Sequence, residues 1–196
     1  MKSNAALRKK IRQARRSLSV NEQKQHAAEA FRLARSSPLF LQSKRIAAYI
    51  AADGELNPSP LLDYAASCKK EIYLPVLRPF SNNSLWFSRY LSGDRLLPNR
   101  FSIDEPNISR YPPVPLWTLD LILLPLVAFD NKGHRLGMGG GYYDRTLARL
   151  KQHARLPQPK LFGYAHECQK SSRIKINQWD IPLDGIITEK RIYYCR

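Results

Sequence analysis

Apolar residues at Leu7, Ile11, Ala14 and Leu18 recur at intervals of four, three and four. That is the spacing of one helical face and predicts a helix over residues 5–18. Its other faces carry Arg8, Lys9, Lys10, Arg12, Arg15 and Arg16 with no acid among them. Ser19, with Glu22 three positions on, has the form of a capping box and predicts a second helix over about 21–35. The pattern then alternates. Arg45 to Ile50 reads as a strand ended by Asp53-Gly54, and Pro58 and Pro60 permit a helix from near Ser59 to about Cys68. Glu71 to Pro75 reads as the next strand. Ser84 to Tyr90 predicts a strand that pairs as a hairpin with its neighbours, and Tyr111 to Pro115 an extended connection. The continuous apolar run Leu119–Leu124 predicts a fully buried central strand. A helix over Tyr142–Leu150 and strands over Lys160–Tyr164 and Gly185–Thr188 complete the series. This β-α-β rhythm predicts one α/β domain over residues 1–196, with a mostly parallel central sheet.

Composition narrows the partners more than the fold. An apolar content of 43% with ten tyrosines supplies a real core. The formal charge of +16, from 32 basic against 16 acidic residues, favours anions: nucleic acid, an acidic membrane or an anionic small molecule. Cys68, Cys168 and Cys195 form no C-x-x-C pair, which suggests reduced thiols in a cytosolic protein. His26, His134, His153 and His166 have no paired ligand spacing, so no structural zinc site is expected. The longest apolar run, Leu121–Phe129, contains Pro125 and falls well short of the ~20 residues a membrane span needs. With no apolar core after the N-terminal charges, a soluble, cytoplasmic protein is expected.

The chemistry concentrates at Arg135-Leu136-Gly137-Met138-Gly139-Gly140-Gly141-Tyr142-Tyr143-Asp144-Arg145. Four glycines interrupted by one residue are a poor way to build a packed element, because glycine loses the most backbone freedom on ordering. Placed between a strand and a helix, they let an anion approach bare backbone and the positive helix end. Arg135 and Arg145 flank the loop, and Asp144 is a candidate metal ligand. No Gly-Lys-[Ser/Thr] follows, which removes the Walker template, and Tyr142 stands where a dinucleotide fingerprint has its third glycine. A flexible surface turn is the plainer alternative.

Together with Leu124-Pro125-Leu126-Val127-Ala128-Phe129-Asp130 and Gly133, this loop resembles the signature of the 5-formyltetrahydrofolate cyclo-ligase (methenyltetrahydrofolate synthetase) family. The similarity continues in order along the chain, through Ala48-Tyr49 with Asp53-Gly54-Glu55, Tyr73 to Val76, Phe162 to Ala165, and Trp179 to Asp184. It implies a doubly wound, three-layer fold with helices on both faces of the sheet. It also implies an ATP- and Mg2+-dependent closure of 5-formyltetrahydrofolate to 5,10-methenyltetrahydrofolate. The formyl oxygen would be phosphorylated, N10 would attack, and phosphate would leave.

Residue by residue, the resemblance assigns Arg135, Leu136, Gly137, Met138, Gly139, Gly140, Gly141, Tyr142 and Tyr143 to the ATP phosphates. Arg135 and Asp144 are then the catalytic pair, and Asp144 and Asp184 the Mg2+ carboxylates. Asp144 alternatively serves its helix dipole or an ion pair with Arg145, and Asp184 alternatively serves a turn. An early Lys-x-x-x-Arg pair in the family maps onto Asn4 and Arg8, so Arg8 carries the nucleotide contact and Lys2 or Lys9 would replace the lysine. Met138 and Gly140 stand where some members carry cations. Glu55 is a candidate acceptor for the donors of the pterin, with a surface turn residue as the alternative. Tyr142 and Tyr143 are candidates to pack on pterin or adenine, with Trp86 and Phe101 as further aromatics. A monomer acting on small molecules, without nucleic acid or membrane, is expected. Rival readings are a nucleic-acid protein using the basic helix and a folate- or nucleotide-binding relative without catalysis.

Overall fold

A computed structural model describes residues 4–80, 83–172, 174–177 and 180–195. Lys2 and Trp179 therefore lie outside the described residues. The chain opens with α1 (Asn4–Arg16), α2 (Val20–Arg35) and the short α3 (Pro38–Gln42). It continues through β1 (Arg45–Ala47), α4 (Ser59–Ser67), β2 (Glu71–Leu77), β3 (Leu85–Tyr90), β4 (Leu97–Pro98) and β5 (Asp104–Glu105). Next come β6 (Leu121–Leu124), β7 (Ala128–Phe129), β8 (Arg135–Leu136), α5 (Tyr142–Gln152), β9 (Lys160–Tyr164), β10 (Gly185–Ile187) and β11 (Ile192–Tyr194).

Seven strands form the central sheet in the order β11-β10-β9-β6-β1-β2-β3. The five inner strands run parallel, and β3 and β11 pair antiparallel at the edges. One face packs under α2, α3 and α4 through Ala30, Phe40, Leu61 and Ala65, which meet Ile46, Leu74 and Leu123 of the sheet. The opposite face packs under α5, where Leu147 and Leu150 join Ile122, Leu124 and Ile186. This is the three-layer α/β arrangement. α1 lies apart from both cores, its Ile11 on Val127, Ala128 and Leu136.

The central strand β6 is buried at all four positions, as its unbroken apolar run predicts. The capping box is present: Ser19 Oγ accepts from the Glu22 N–H at 3.2 Å, and Glu22 Oε2 accepts from the Ser19 N–H at 2.7 Å. Three expectations shift. β1 stops at Ala47 and not Ile50, since after a last bond from the Ala48 N–H to Tyr73 O at 3.0 Å the chain leaves the sheet, anchored by the Tyr49 hydroxyl donating to Leu56 O at 2.6 Å and Tyr164 O at 3.0 Å. β2 continues through Pro75 to Leu77, because its pairing with β1 ends at Tyr73 and the proline then lacks a neighbour there that needs an N–H. α1 ends at Arg16, two residues early, and Ser17 Oγ bonds back to Ala14 O at 2.8 Å.

Candidate active site

The parallel strands deliver their C-terminal ends to one edge, where open α/β sheets hold their ligands. A cleft of about 1320 Å3 opens there, bounded by Tyr49 to Glu55 after β1, Leu77 of β2, Pro125 and Leu126 after β6, and the glycine loop. α1 forms one wall through Asn4, Arg8, Arg12 and Arg16. Residues 99–105 form another.

The loop is built on a two-stranded ribbon. Ala128 pairs with Leu136 and Phe129 with Arg135, and the chain then turns through Gly139 (φ +105°) and Gly141 (φ +69°) into α5. At Gly141 the backbone disfavours a side chain. The backbone is left-handed, and an added Cβ would lie 2.8 Å from the Arg145 guanidinium. At Gly137 an added Cβ meets nothing within 4 Å, so the space beside it is open to a ligand. The first-turn N–H groups of α5, which have no intrahelical acceptors, lie at this loop. Arg8 closes its far side, its Nε donating to Gly137 O at 2.8 Å. Arg145 braces the loop from outside by donating to Gly140 O and to Asn83 O.

Arg135 and Asp144 are brought together. The Arg135 guanidinium, 5% exposed, pairs with Asp144 Oδ1 and donates to Ile181 O. Asp144 thus pairs with Arg135 and not with Arg145. Burial pushes Arg135 down from its ordinary pKa, while Asp144, Asp180 and Tyr143 oppose that shift. It stays cationic at neutral pH, because a guanidinium starts so far above it.

Asp184 is not in this cleft, which corrects the expected Mg2+ pair. It sits at the opposite, N-terminal edge of the strands, where Oδ2 accepts from the Leu161 N–H at 2.8 Å and Oδ1 faces Lys160 Nζ at 3.2 Å. Those contacts tie β9 to β10 at their start. The carboxylate that does line the cleft beside Arg135 is Asp180, four residues earlier in the same motif. A choice between two aspartates in one turn depends on which strand end each reaches, and spacing does not reveal that.

Glu55 is no surface residue. Only 14% of its side chain is exposed, its Oε2 accepts from the Ala52 N–H at 3.2 Å, and Oε1 lies 3.7 Å from the buried Arg15. Burial raises its pKa and the Arg15 charge opposes the rise. Asp53 draws three arginines of α1: Arg12 at 2.9 Å, Arg15 at 2.7 Å, and Arg16. Burial favours the protonated Asp53, but hydrogen bonds from Arg12 and Arg16 and the Arg15 charge outweigh it and lower the pKa. Much of the basic face of α1 is therefore engaged within the protein, a role the sequence reading did not foresee. The four-residue step from Arg8 to Arg12 and Arg16 was the available signal.

Asn4 faces the last part of the chain. Its Nδ2 donates to Lys175 O at 3.1 Å and its Oδ1 accepts from the Lys175 N–H at 3.2 Å. Lys175 itself lines the cleft. Tyr142 and Tyr143 both line it but differ. Tyr142 is held at the mouth by Arg100, which donates to its hydroxyl at 2.6 Å, and by Phe101 edge-on at 5.8 Å. Tyr143 packs into the α5-side core, and burial, aided by the Glu55 charge, pushes its pKa up. Of the further aromatics, Phe101 lines the cleft. Trp86 does not, and sits under Arg78 at 5.7 Å. Met138 and Gly140 are exposed on the loop and offer the cleft no cation.

Comparison with known proteins bears on what this cleft does. Residues 1–189 match the model of the 5-formyltetrahydrofolate cyclo-ligase family. The chain is 38% identical over 183 residues to the 5-formyltetrahydrofolate cyclo-ligase of Escherichia coli K12, covering 93% of this chain and 98% of that one. The namesake from Haemophilus influenzae is 38% identical over 181 residues, covering 92% and 95%. The solved structure of Aquifex aeolicus 5,10-methenyltetrahydrofolate synthetase superposes with a TM-score of 0.81 at 32% identity, covering 98% of this chain and 93% of that one. Its counterpart from Mycoplasma pneumoniae gives 0.73 at 27% identity, covering 96% and 99%.

Proposed function

The chain belongs to the 5-formyltetrahydrofolate cyclo-ligase family and is a ligase, and from that premise we propose that its cleft converts 5-formyltetrahydrofolate and ATP to 5,10-methenyltetrahydrofolate, ADP and phosphate. The observation that carries this reading is the meeting, in one cleft, of the open glycine loop, the Arg135–Asp144 pair and the buried Glu55. The formyl oxygen is a poor leaving group as hydroxide and a good one as phosphate. Its phosphorylation breaks the bond from the γ-phosphorus to the ADP oxygen and forms one to the formyl oxygen. Attack by N10 on the activated carbon forms the ring bond, and departure of phosphate carries away the oxygen and its electron pair, with the N10 proton released.

The protein's part is positioning and charge neutralisation. Backbone N–H groups of the loop and the α5 N-terminus hold the phosphates, with Arg8 and Arg135 supplying positive charge. Lys175 adds a third cation from the cleft wall. Glu55 accepts from the donor edge of the pterin, and its burial strengthens that bond. Tyr142 and Phe101 offer a flat apolar wall at the mouth. Asp144 and Asp180, two carboxylates lining one phosphate cleft, suit Mg2+, which takes one or two such ligands plus phosphate oxygens. When bound, the ion neutralises phosphate charge.

The test is a rise in the near-ultraviolet absorbance of the methenyl product when purified protein meets ATP, Mg2+ and 5-formyltetrahydrofolate. Arg135→Ala and Asp144→Asn should each lower turnover about 100-fold or more with the fold intact. Full activity in both variants would remove the loop from the mechanism. Binding of both ligands without product would instead mark a non-catalytic relative.

A further inference from the structure

His26 of α2, His166 in the turn after β9 and Glu189 just after β10 converge on one point, with a ligand atom of each within 4.8 Å of the others. None of the three lines the cleft. The two imidazole Nδ1 atoms face each other at 2.9 Å, and Glu189 Oε1 lies 3.8 Å from His26 Nδ1. We propose that these three side chains form a binding site for a divalent transition-metal ion of the zinc type, separate from the phosphate cleft.

The donor set is two imidazoles and one carboxylate with a fourth position open to water, which suits Zn2+, Co2+ or Ni2+ and not Mg2+. His166 is fully buried and Glu189 is 7% exposed, so both are held in place by packing. Glu189 Oε2 accepts from the Glu167 N–H at 2.9 Å, which leaves Oε1 turned to the histidines. His26, with 22% of its side chain exposed, leaves a path for the ion. The tautomer of His166 follows from its contacts: its buried Nε2 makes no hydrogen bond of good geometry. The ring also accepts from the Gln169 N–H, which must therefore use Nδ1. His26 Nδ1 is then the donor in the imidazole contact.

Metal binding needs only local changes. The His26 proton moves to its outer nitrogen, so none is lost, and His166 stays in its present neutral tautomer. The Gln169 N–H keeps its other acceptor, His166 O, at 2.9 Å. Burial, followed by the neighbouring His26, pushes the His166 pKa down to about 4, which keeps the ring neutral as a ligand must be. Tetrahedral zinc, with Zn–N near 2.0–2.1 Å, sets its nitrogens about 3.3 Å apart. The histidines need to part by a few tenths of an ångström.

The experiment takes the full chain, free of any tag and stripped with chelator, and titrates it with Co2+ while visible ligand-field bands are read. A Zn2+ titration by calorimetry runs beside it. The expected result is one equivalent of cobalt with bands that zinc abolishes. Both His26→Ala and Glu189→Gln should weaken binding at least about 100-fold, since even loss of a group that merely orients a ligand costs 10–100-fold. Glutamine keeps an acceptor for the Glu167 N–H, so Glu189→Gln decides the matter if the alanine variant fails to fold. Absence of cobalt bands and zinc heat would overturn the proposal. So would bands unchanged in the variants, which would place the ion elsewhere, for example on the cysteines.

Discussion

Asp180 and Asp184 stand four residues apart and have opposite surroundings: one lines the cleft beside Arg135, the other pins β9 to β10. Asp180→Asn should cut turnover about 100-fold with melting unchanged. Asp184→Ala should leave turnover near normal and cost about 1–2 kcal/mol in a denaturant titration, because the Leu161 N–H loses its acceptor. The reverse pattern would restore Asp184 to the site. Asp53 gives a pH test. Its folded pKa is lowered, so the stability it contributes is present above the ordinary aspartate value and disappears as pH falls through the folded one. Asp53→Asn should therefore flatten the fall of stability below about pH 4, measured by urea titration at several pH values. Arg135, Asp144, Arg8 and Glu55 were legible as cleft-lining residues because the similarity points to them by position. Arg12, Lys175 and Asp180 were not, because each owes its place to a contact between distant segments.

The elements most visible in the sequence are those whose determinants are local. Ser19 and Glu22 lie three residues apart and cap α2 as expected, and Ser19→Ala should cost about 1 kcal/mol in thermal unfolding without changing turnover. α3 has an equally local signal: Ser37 accepts from the Phe40 N–H at 3.2 Å, and Pro38 occupies the first turn. Antiparallel edges were harder. β11 depends on pairing with β10, Gly185 opposite Tyr194, and its three residues have no pattern of their own. Gly185 shows how tight that pairing is, since an added Cβ would lie 2.3 Å from Tyr193 O. The two-residue ribbon β7–β8 was likewise invisible as secondary structure, although it aims Arg135 into the cleft. Histidines 140 positions apart cannot reveal themselves by spacing.

At the scale of the whole molecule, the fold class followed from the alternation of strand and helix, and the sheet order from pairings that only the tertiary structure displays. On the proposed function, the charge of +16 supplies long-range attraction of two anionic substrates toward a cleft walled by arginines. Raising ionic strength should lower kcat/KM for ATP, by up to about tenfold, while the turnover at saturation changes little. The same salt series with duplex and single-stranded nucleic acid separates the nucleic-acid reading, which requires steeply salt-dependent binding. The contact between Asn4 and Lys175 spans 171 positions, and the cleft takes walls from both ends of that span. On the proposed function, a polypeptide emerging from the ribosome carries its glycine loop before the cleft wall at Lys175 exists. Interrupted products that stop short of Lys175 should neither trap nor hydrolyse ATP, which makes completed synthesis itself a condition for activity.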